Sequence, residues 1–116
     1  MNTLRERTKT FALRIIRLFS ALPRTDVARV LGRQMLRSGT SVGAHCHEGY
    51  RSRSDEELIS KYETALQELD ETIYWIELLG ESGIVSDRRL QPLTAEANEL
   101  ISILVASVKT IKRRRR

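Results

Sequence analysis

His45, Cys46, His47 and Glu48 stand consecutively in this 116-residue chain, and each is a residue type that ligates metals or moves protons. Their spacing works against joint action. Successive residues of a helix project about 100° apart, so only His45 and Glu48, three apart, share a face. A zinc-binding helix uses an i,i+4 pair, and Gly49 and Tyr50, at three and four beyond Cys46, give that thiol no partner. Cys46 is the only cysteine, so no internal disulfide forms. A ring of subunits could bring His45 or His47 from neighbours together. The simpler expectation places His45 in a buried polar contact, His47 in solvent and Glu48 in an ion pair at a helix end, with Arg37 or Arg51 near it in sequence.

No second route to catalysis is visible. Ser38, Thr40 and Ser41 lack the sharp turn that exposes a nucleophilic serine, and hydroxyls within a helix bond to the backbone or to a neighbouring helix. No glycine-rich loop with the phosphate-binding pattern occurs. The sequence therefore predicts a non-enzyme with no metal, no cofactor and no catalytic residue.

Charge is the chemistry that remains. The net charge of +5 hides a strong segregation, because residues 54–80 carry one basic and eight acidic side chains while every other segment is basic. Arg29, Arg33 and Arg37 recur every four residues, which lines three guanidinium groups along one face of a helix. Lys109, Lys112, Arg113, Arg114, Arg115 and Arg116 add a basic C-terminal cluster. These nine residues form the expected interface for a phosphate backbone, RNA or DNA, with affinity that falls as salt rises. One Trp, three Tyr and two Phe, mostly on core stripes, leave little for base stacking. The alternative is a protein–protein interaction scaffold without nucleic-acid binding, whose basic surface serves a protein partner with acidic contacts; the acidic segment itself is expected to pair with basic neighbours within a bundle or across a subunit contact.

The elements that position these residues read as four helices in one domain, residues 1–116, with a basic tail at residues 112–116. A first helix opens on the capping-box pair Thr3 and Glu6 and runs to Pro23. Thr25 caps a second helix whose buried side includes Val27, Leu31, Met35, Ser38, Val42 and Cys46. Ser54 and Glu57 open a third, closed by Gly80 or Gly83. A fourth is expected to start at Pro92 after an introductory turn from Ser86, with Leu93, Ala97, Leu100, Ile101, Leu104, Val108 and Ile111 along one face. The fold class is all-α, an up-down-up-down antiparallel four-helix bundle. No apolar run reaches membrane-spanning length and the first ten residues lack a signal-peptide pattern, so a cytoplasmic protein with no membrane contact is expected.

Gly39 and Gly43 lie within the second helix, where each Gly costs about 0.8–1 kcal/mol relative to Ala. With Ser38 and Ser41 they predict a packing seam pressed closely by a neighbouring helix. Around the third helix's end, apolar side chains point in nearly every direction. Ile16, Tyr74, Trp75, Leu78 and Ile103 are therefore the expected contacts of a homo-oligomer.

The run Arg37-Ser38-Gly39-Thr40-Ser41-Val42-Gly43-Ala44, the Glu48-Gly49 pair and the segment from Ala65 to Leu79 resemble the four-helix-bundle proteins encoded in intervening sequences of bacterial 23S rRNA genes. Leu22-Pro23, Gln34, Ser54-Asp55 and Lys61 extend the resemblance over nearly the whole chain. It implies a ring-like homopentamer. It also implies kinship with the accessory variability determinant proteins of diversity-generating retroelements, basic pentameric barrels that bind nucleic acid and a reverse transcriptase. That makes a reverse transcriptase, or another protein, a further expected partner. His45 stands where the family usually has Asn and His47 where it has a small residue, and the family offers no enzymatic residues to carry over.

Overall fold

A computed structural model describes residues 3–114. They form four α-helices: α1 Leu4–Ser20, α2 Asp26–Tyr50, α3 Asp55–Glu81 and α4 Asp87–Arg114. No strand occurs among the described residues. Local sequence sets the boundaries. Thr3 and Glu6 form a reciprocal capping box, Thr25 accepts from the Ala28 N–H at 3.2 Å, and Ser54 accepts from the Glu57 N–H at 3.1 Å. At the other end of α3, Gly83 adopts φ +80, and the N–H groups of Gly83 and Ile84 return to the carbonyls of Gly80 and Leu79. That is a Schellman closure, and it needs a residue that tolerates the left-handed region.

Consecutive helices pack side by side, α4 closes back on α1 through a thinner contact, and the backbones of the diagonal pairs α1/α3 and α2/α4 do not approach within 8 Å, Cα to Cα. All neighbours are antiparallel. Gly32, Gly39 and Gly43 meet Phe19, Ile15 and Thr8 in reverse order, Gly49 meets Tyr62 while Ser38 meets Thr72, and Lys112 and Arg114 reach Glu63 and Asp55. The bundle measures 51 × 23 × 21 Å. Its centre is filled by Phe11, Ile15, Met35, Val42, Leu69, Ile76, Leu79, Leu100 and Leu104, all essentially inaccessible to water.

The seam on α2 faces two partners. A Cβ at Gly39 would stand 2.8 Å from Ile15 Cγ1, and one at Gly43 would stand 3.2 Å from the Thr8 carbonyl oxygen. On the other side, buried Ser38 donates to the Gln34 carbonyl at 3.0 Å and lies 2.8 Å from the Thr72 hydroxyl of α3, so the polar pair is satisfied. Ser41 is half-buried and bonds back to the Arg37 carbonyl at 2.7 Å.

Three expectations need correction. Val27 is 58% exposed and Ala28 takes its place in the core. The small residues Ala28 and Gly32 set the phase of α2, with Gly32 under Phe19 and Leu22, and this rotates Val27 and Val30 outward. Secondly, α4 begins at Asp87, with Pro92 inside it. Pro92 is exposed, so the Arg88 carbonyl that would have bonded to its missing N–H faces the water side of the helix. Finally, the basic tail is no separate segment up to Arg114, because α4 continues to that residue; Arg115 and Arg116 lie outside the described residues.

The close approach at the seam gives a direct prediction. Gly43→Leu forces a side chain against the α1 backbone, which cannot give way as a side-chain tip can, and Gly39→Leu forces one against Ile15. Each should destabilise the fold by about 1–3 kcal/mol in urea unfolding. Ala44→Leu, on the exposed side of the same helix, should stay within about 0.5 kcal/mol.

Candidate functional site

The basic residues divide into those that meet carboxylates within the bundle and those that do not. Arg37 belongs to the first set. Its guanidinium lies 2.6 Å from Glu71 and 3.3 Å from Glu68, both on α3. The Trp75 indole N–H donates to the same Glu71 carboxylate at 3.0 Å. The Trp75 hydrogen bond, then Arg37, hold the Glu71 carboxyl below its ordinary range, and Glu71 in turn pushes the Arg37 guanidinium up. Lys112 lies 3.4 Å from Glu63 and Arg114 lies 2.9 Å from Asp55. Arg37, Lys112 and Arg114 thus stay at the surface, each beside a carboxylate, because α3 sits between α2 and α4 and offers carboxylates to both. Arg29, Arg33, Lys109 and Arg113 are exposed, with no ion pair among the described residues.

A second group of cations is gathered by the tertiary fold. Arg14 and Arg17 of α1 and Arg89 of α4 surround a groove of about 250 Å³ that also contains Leu18 and Leu93. None of the three arginines makes an ion pair among the described residues. Arg14 also borders the adjoining depression of about 430 Å³ beside Arg7, Thr10 and Glu96. Arg7 shows the contrast, with Glu96 at 2.8 Å and Glu99 at 3.2 Å raising its pKa. The sequence signal for this group is the basic first helix with its Arg7, Arg14 and Arg17 spacing. Arg89 could join it only once α4 was known to lie alongside.

Of the residues expected at an oligomer contact, Ile16 is 41% exposed and Tyr74 53% exposed, while Leu78 and Ile103 are half-buried. Trp75 is tied more firmly to its own subunit. It packs against the core, bonds to Glu71, and meets the Tyr74 ring edge-on with centroids 5.2 Å apart. Val27 and Val30, both on the outer side of α2, add exposed apolar surface that the sequence reading placed elsewhere or passed over.

The His-Cys-His-Glu run is dispersed by the helix. His45 Nδ1 lies 3.3 Å from a Glu48 oxygen, which also meets Lys61 at 3.1 Å; Cys46 is buried and His47 exposed. Lys61, with a smaller pull from His45, holds the exposed Glu48 carboxyl below its ordinary range. Glu48 therefore pairs across to α3, which corrects the expectation of Arg37 or Arg51. No group of three His, Cys, Asp or Glu suited to a metal gathers among the described residues. Burial pushes the Cys46 thiol up to about 11, opposed only in part by a hydrogen bond from Thr8. At pH 8 the folded protein should therefore react with a thiol reagent roughly 100-fold or more slower than the urea-unfolded chain. The rate should climb as pH rises toward 11, since the thiolate is the reacting form. Equal rates in the two states would contradict this burial.

Comparison with known proteins gives a consistent picture. Residues 2–106 match the family model described as 23S rRNA-intervening sequence protein. A solved structure from Bacteroides thetaiotaomicron, a protein of unknown function from the S23 ribosomal protein family, superposes with a TM-score of 0.87 at 31% identity. The match covers 92% of this chain and 99% of that one. No curated protein matches the sequence. With the family model spanning all four helices and the bundle shared with that relative, the chain belongs to the 23S rRNA-intervening sequence protein family.

Proposed function

We propose that this protein is a cytoplasmic, non-enzymatic nucleic-acid-binding homo-oligomer that holds RNA or DNA by its phosphates. The observation that carries the reading is the α1/α4 groove, where Arg14, Arg17 and Arg89 converge without a carboxylate beside Leu18 and Leu93. Cations held near one another without counter-charges repel, and a polyanion relieves that repulsion while releasing its own counterions. Arg29, Arg33, Lys109 and Arg113 extend the uncompensated charge to other faces.

A ring-like assembly, with a pentamer favoured, fits the charge layout. The outer side of α3 exposes Asp70, Glu77 and Glu81 near Tyr74, and the diagonally opposite α1 exposes the apolar Leu13 and Ile16. A head-to-tail contact sets unlike faces together and can close into a ring, whereas pairing two α3 faces sets like charges together. Each groove would then be repeated around the ring, so weak phosphate contacts add by avidity. Within the family, a place beside a reverse transcriptase, as in the retroelement accessory proteins, would be one setting for such a ring. A scaffold that engages only an acidic protein partner is the competing reading.

Electrophoretic mobility shift across a salt series separates them. Arg14→Ala/Arg17→Ala/Arg89→Ala should weaken duplex binding at low salt and reduce the log–log salt slope by about 2–3. Arg37→Ala, which breaks an internal ion pair, should leave that slope nearly unchanged. Absence of nucleic-acid binding by the wild type at low salt rejects the reading in favour of the scaffold. Light scattering that gives a monomer mass at micromolar concentration would falsify the ring.

A further inference from the structure

A pocket of about 540 Å³ lies where the start of α1 meets the end of α2 and the first turns of α3. Leu4, Cys46 and Tyr62 line its inner part, while Thr3, Arg5, Glu6, Lys9 and Tyr50 are its exposed members. The volume lies within the range of small-molecule sites, roughly 300–1,000 Å³. Its interior is uncharged at neutral pH, since burial pushes both the Cys46 thiol and the Tyr62 hydroxyl up.

Tyr50 is 69% exposed, the highest value among the exposed large apolar and aromatic side chains. Its ring is not unaccompanied. The Arg5 guanidinium carbon lies 4.9 Å from the ring centroid, a cation–π arrangement of two flat groups. Lys9 follows one turn along α1, and Arg51 and Arg53 stand exposed immediately after Tyr50. Glu6, the carboxylate among the lining residues, caps the start of α1 by accepting from the Thr3 N–H at 3.2 Å and its hydroxyl at 2.9 Å, and its single charge leaves Arg5, Lys9, Arg51 and Arg53 in excess. Arg5 and Lys9 make no ion pair among the described residues.

An exposed aromatic ring interleaved with uncompensated cations, beside an apolar recess of this size, fits a flat heterocycle that carries negative charge on either side. We propose that this pocket takes one unpaired base of a single-stranded nucleic acid, stacked on Tyr50, with the flanking phosphates on Arg5, Lys9 and the Arg51 and Arg53 turn. Stacking of this kind is tolerant of sequence because every base has a π-face, and duplex DNA cannot use it because its bases are already stacked. An acidic peptide would satisfy the cations but has no need of the ring. The inference rests on the nucleic-acid reading above and adds to it a preference for single strands.

The test is fluorescence anisotropy at low salt, with a labelled oligoadenylate and a labelled duplex of the same length as probes. Tyr50→Ala should weaken the single strand about tenfold or more while leaving the duplex unchanged, and Tyr50→Phe should retain wild-type affinity for both. Circular dichroism should show an unchanged fold, as Tyr50 lies outside the core. Wild-type single-strand affinity in Tyr50→Ala, or equal losses on both probes, overturns the stacking site and leaves the phosphate reading standing. If the wild type binds neither probe, both readings fall together.

Discussion

The approach of α1 and α3 to the second helix is the constraint on which the rest of this bundle depends. Gly39 and Gly43 leave no room for a Cβ against Ile15 and Thr8, and on the adjoining side the buried Ser38 and Thr72 hydroxyls lock α2 to α3. Small residues cost helix propensity, but they let two backbones come close enough for Phe11, Ile15, Met35 and Val42 to fill the interior. The polar pair adds direction to what would otherwise be interchangeable apolar contact. A slip of α2 along α3 would break the bond between the two hydroxyls and leave each with only the carbonyl of its own helix, Gln34 for Ser38 and Glu68 for Thr72. Long α2 and α3, fixed in this way, then carry the shorter α1 on one side and α4 on the other.

That arrangement also decides where charge can be neutralised. The acidic third helix lies alongside α2 and α4, while the backbone of α1 is diagonal to it. Arg37, Lys61, Lys112 and Arg114 accordingly lie beside carboxylates, three of them reaching α3 from the flanking helices and Lys61 reaching back to Glu48. The first helix lies against α2, which carries only Asp26 and Glu48 as acidic residues, and against α4, where Arg7 takes Glu96 and Glu99. Arg14 and Arg17 are left with Arg89. The basic groove is thus a consequence of topology: the same composition with α1 and α3 adjacent would bury its charge asymmetry in internal pairs.

Much of this was legible in the residues because helical periodicity and caps are local signals. Thr3, Thr25 and Ser54 start the helices where their side chains allow, and the stripe from Leu93 to Ile111 needs no knowledge of its neighbours. Local rules failed where a tertiary contact overrode them. Val27 is larger and more apolar than Ala28, yet a close helix crossing selects the smaller residue for the interior. Pro92 looks like a helix start, but five preceding residues can still wind because its exposed position leaves the freed carbonyl to solvent. The family resemblance carried the architecture, and the matching family model and relative agree with it. It could not carry the candidate site, since Arg89 and Tyr50 acquire their meaning from residues distant in sequence.

A periodic row of arginines on one helix describes only half of an electrostatic surface. Arg29, Arg33 and Arg37 share a spacing, but the last of them reaches Glu68 and Glu71 across a helix boundary while the first two do not pair. An ion pair that is half-exposed contributes little to stability, yet it removes a cation from the set that can meet a polyanion. The quantity that matters for binding is therefore the charge left after neighbouring faces have been paired. By that measure the helix carrying the most regular basic pattern yields to the groove between α1 and α4, where regularity is lower and Arg14, Arg17 and Arg89 make no ion pair among the described residues.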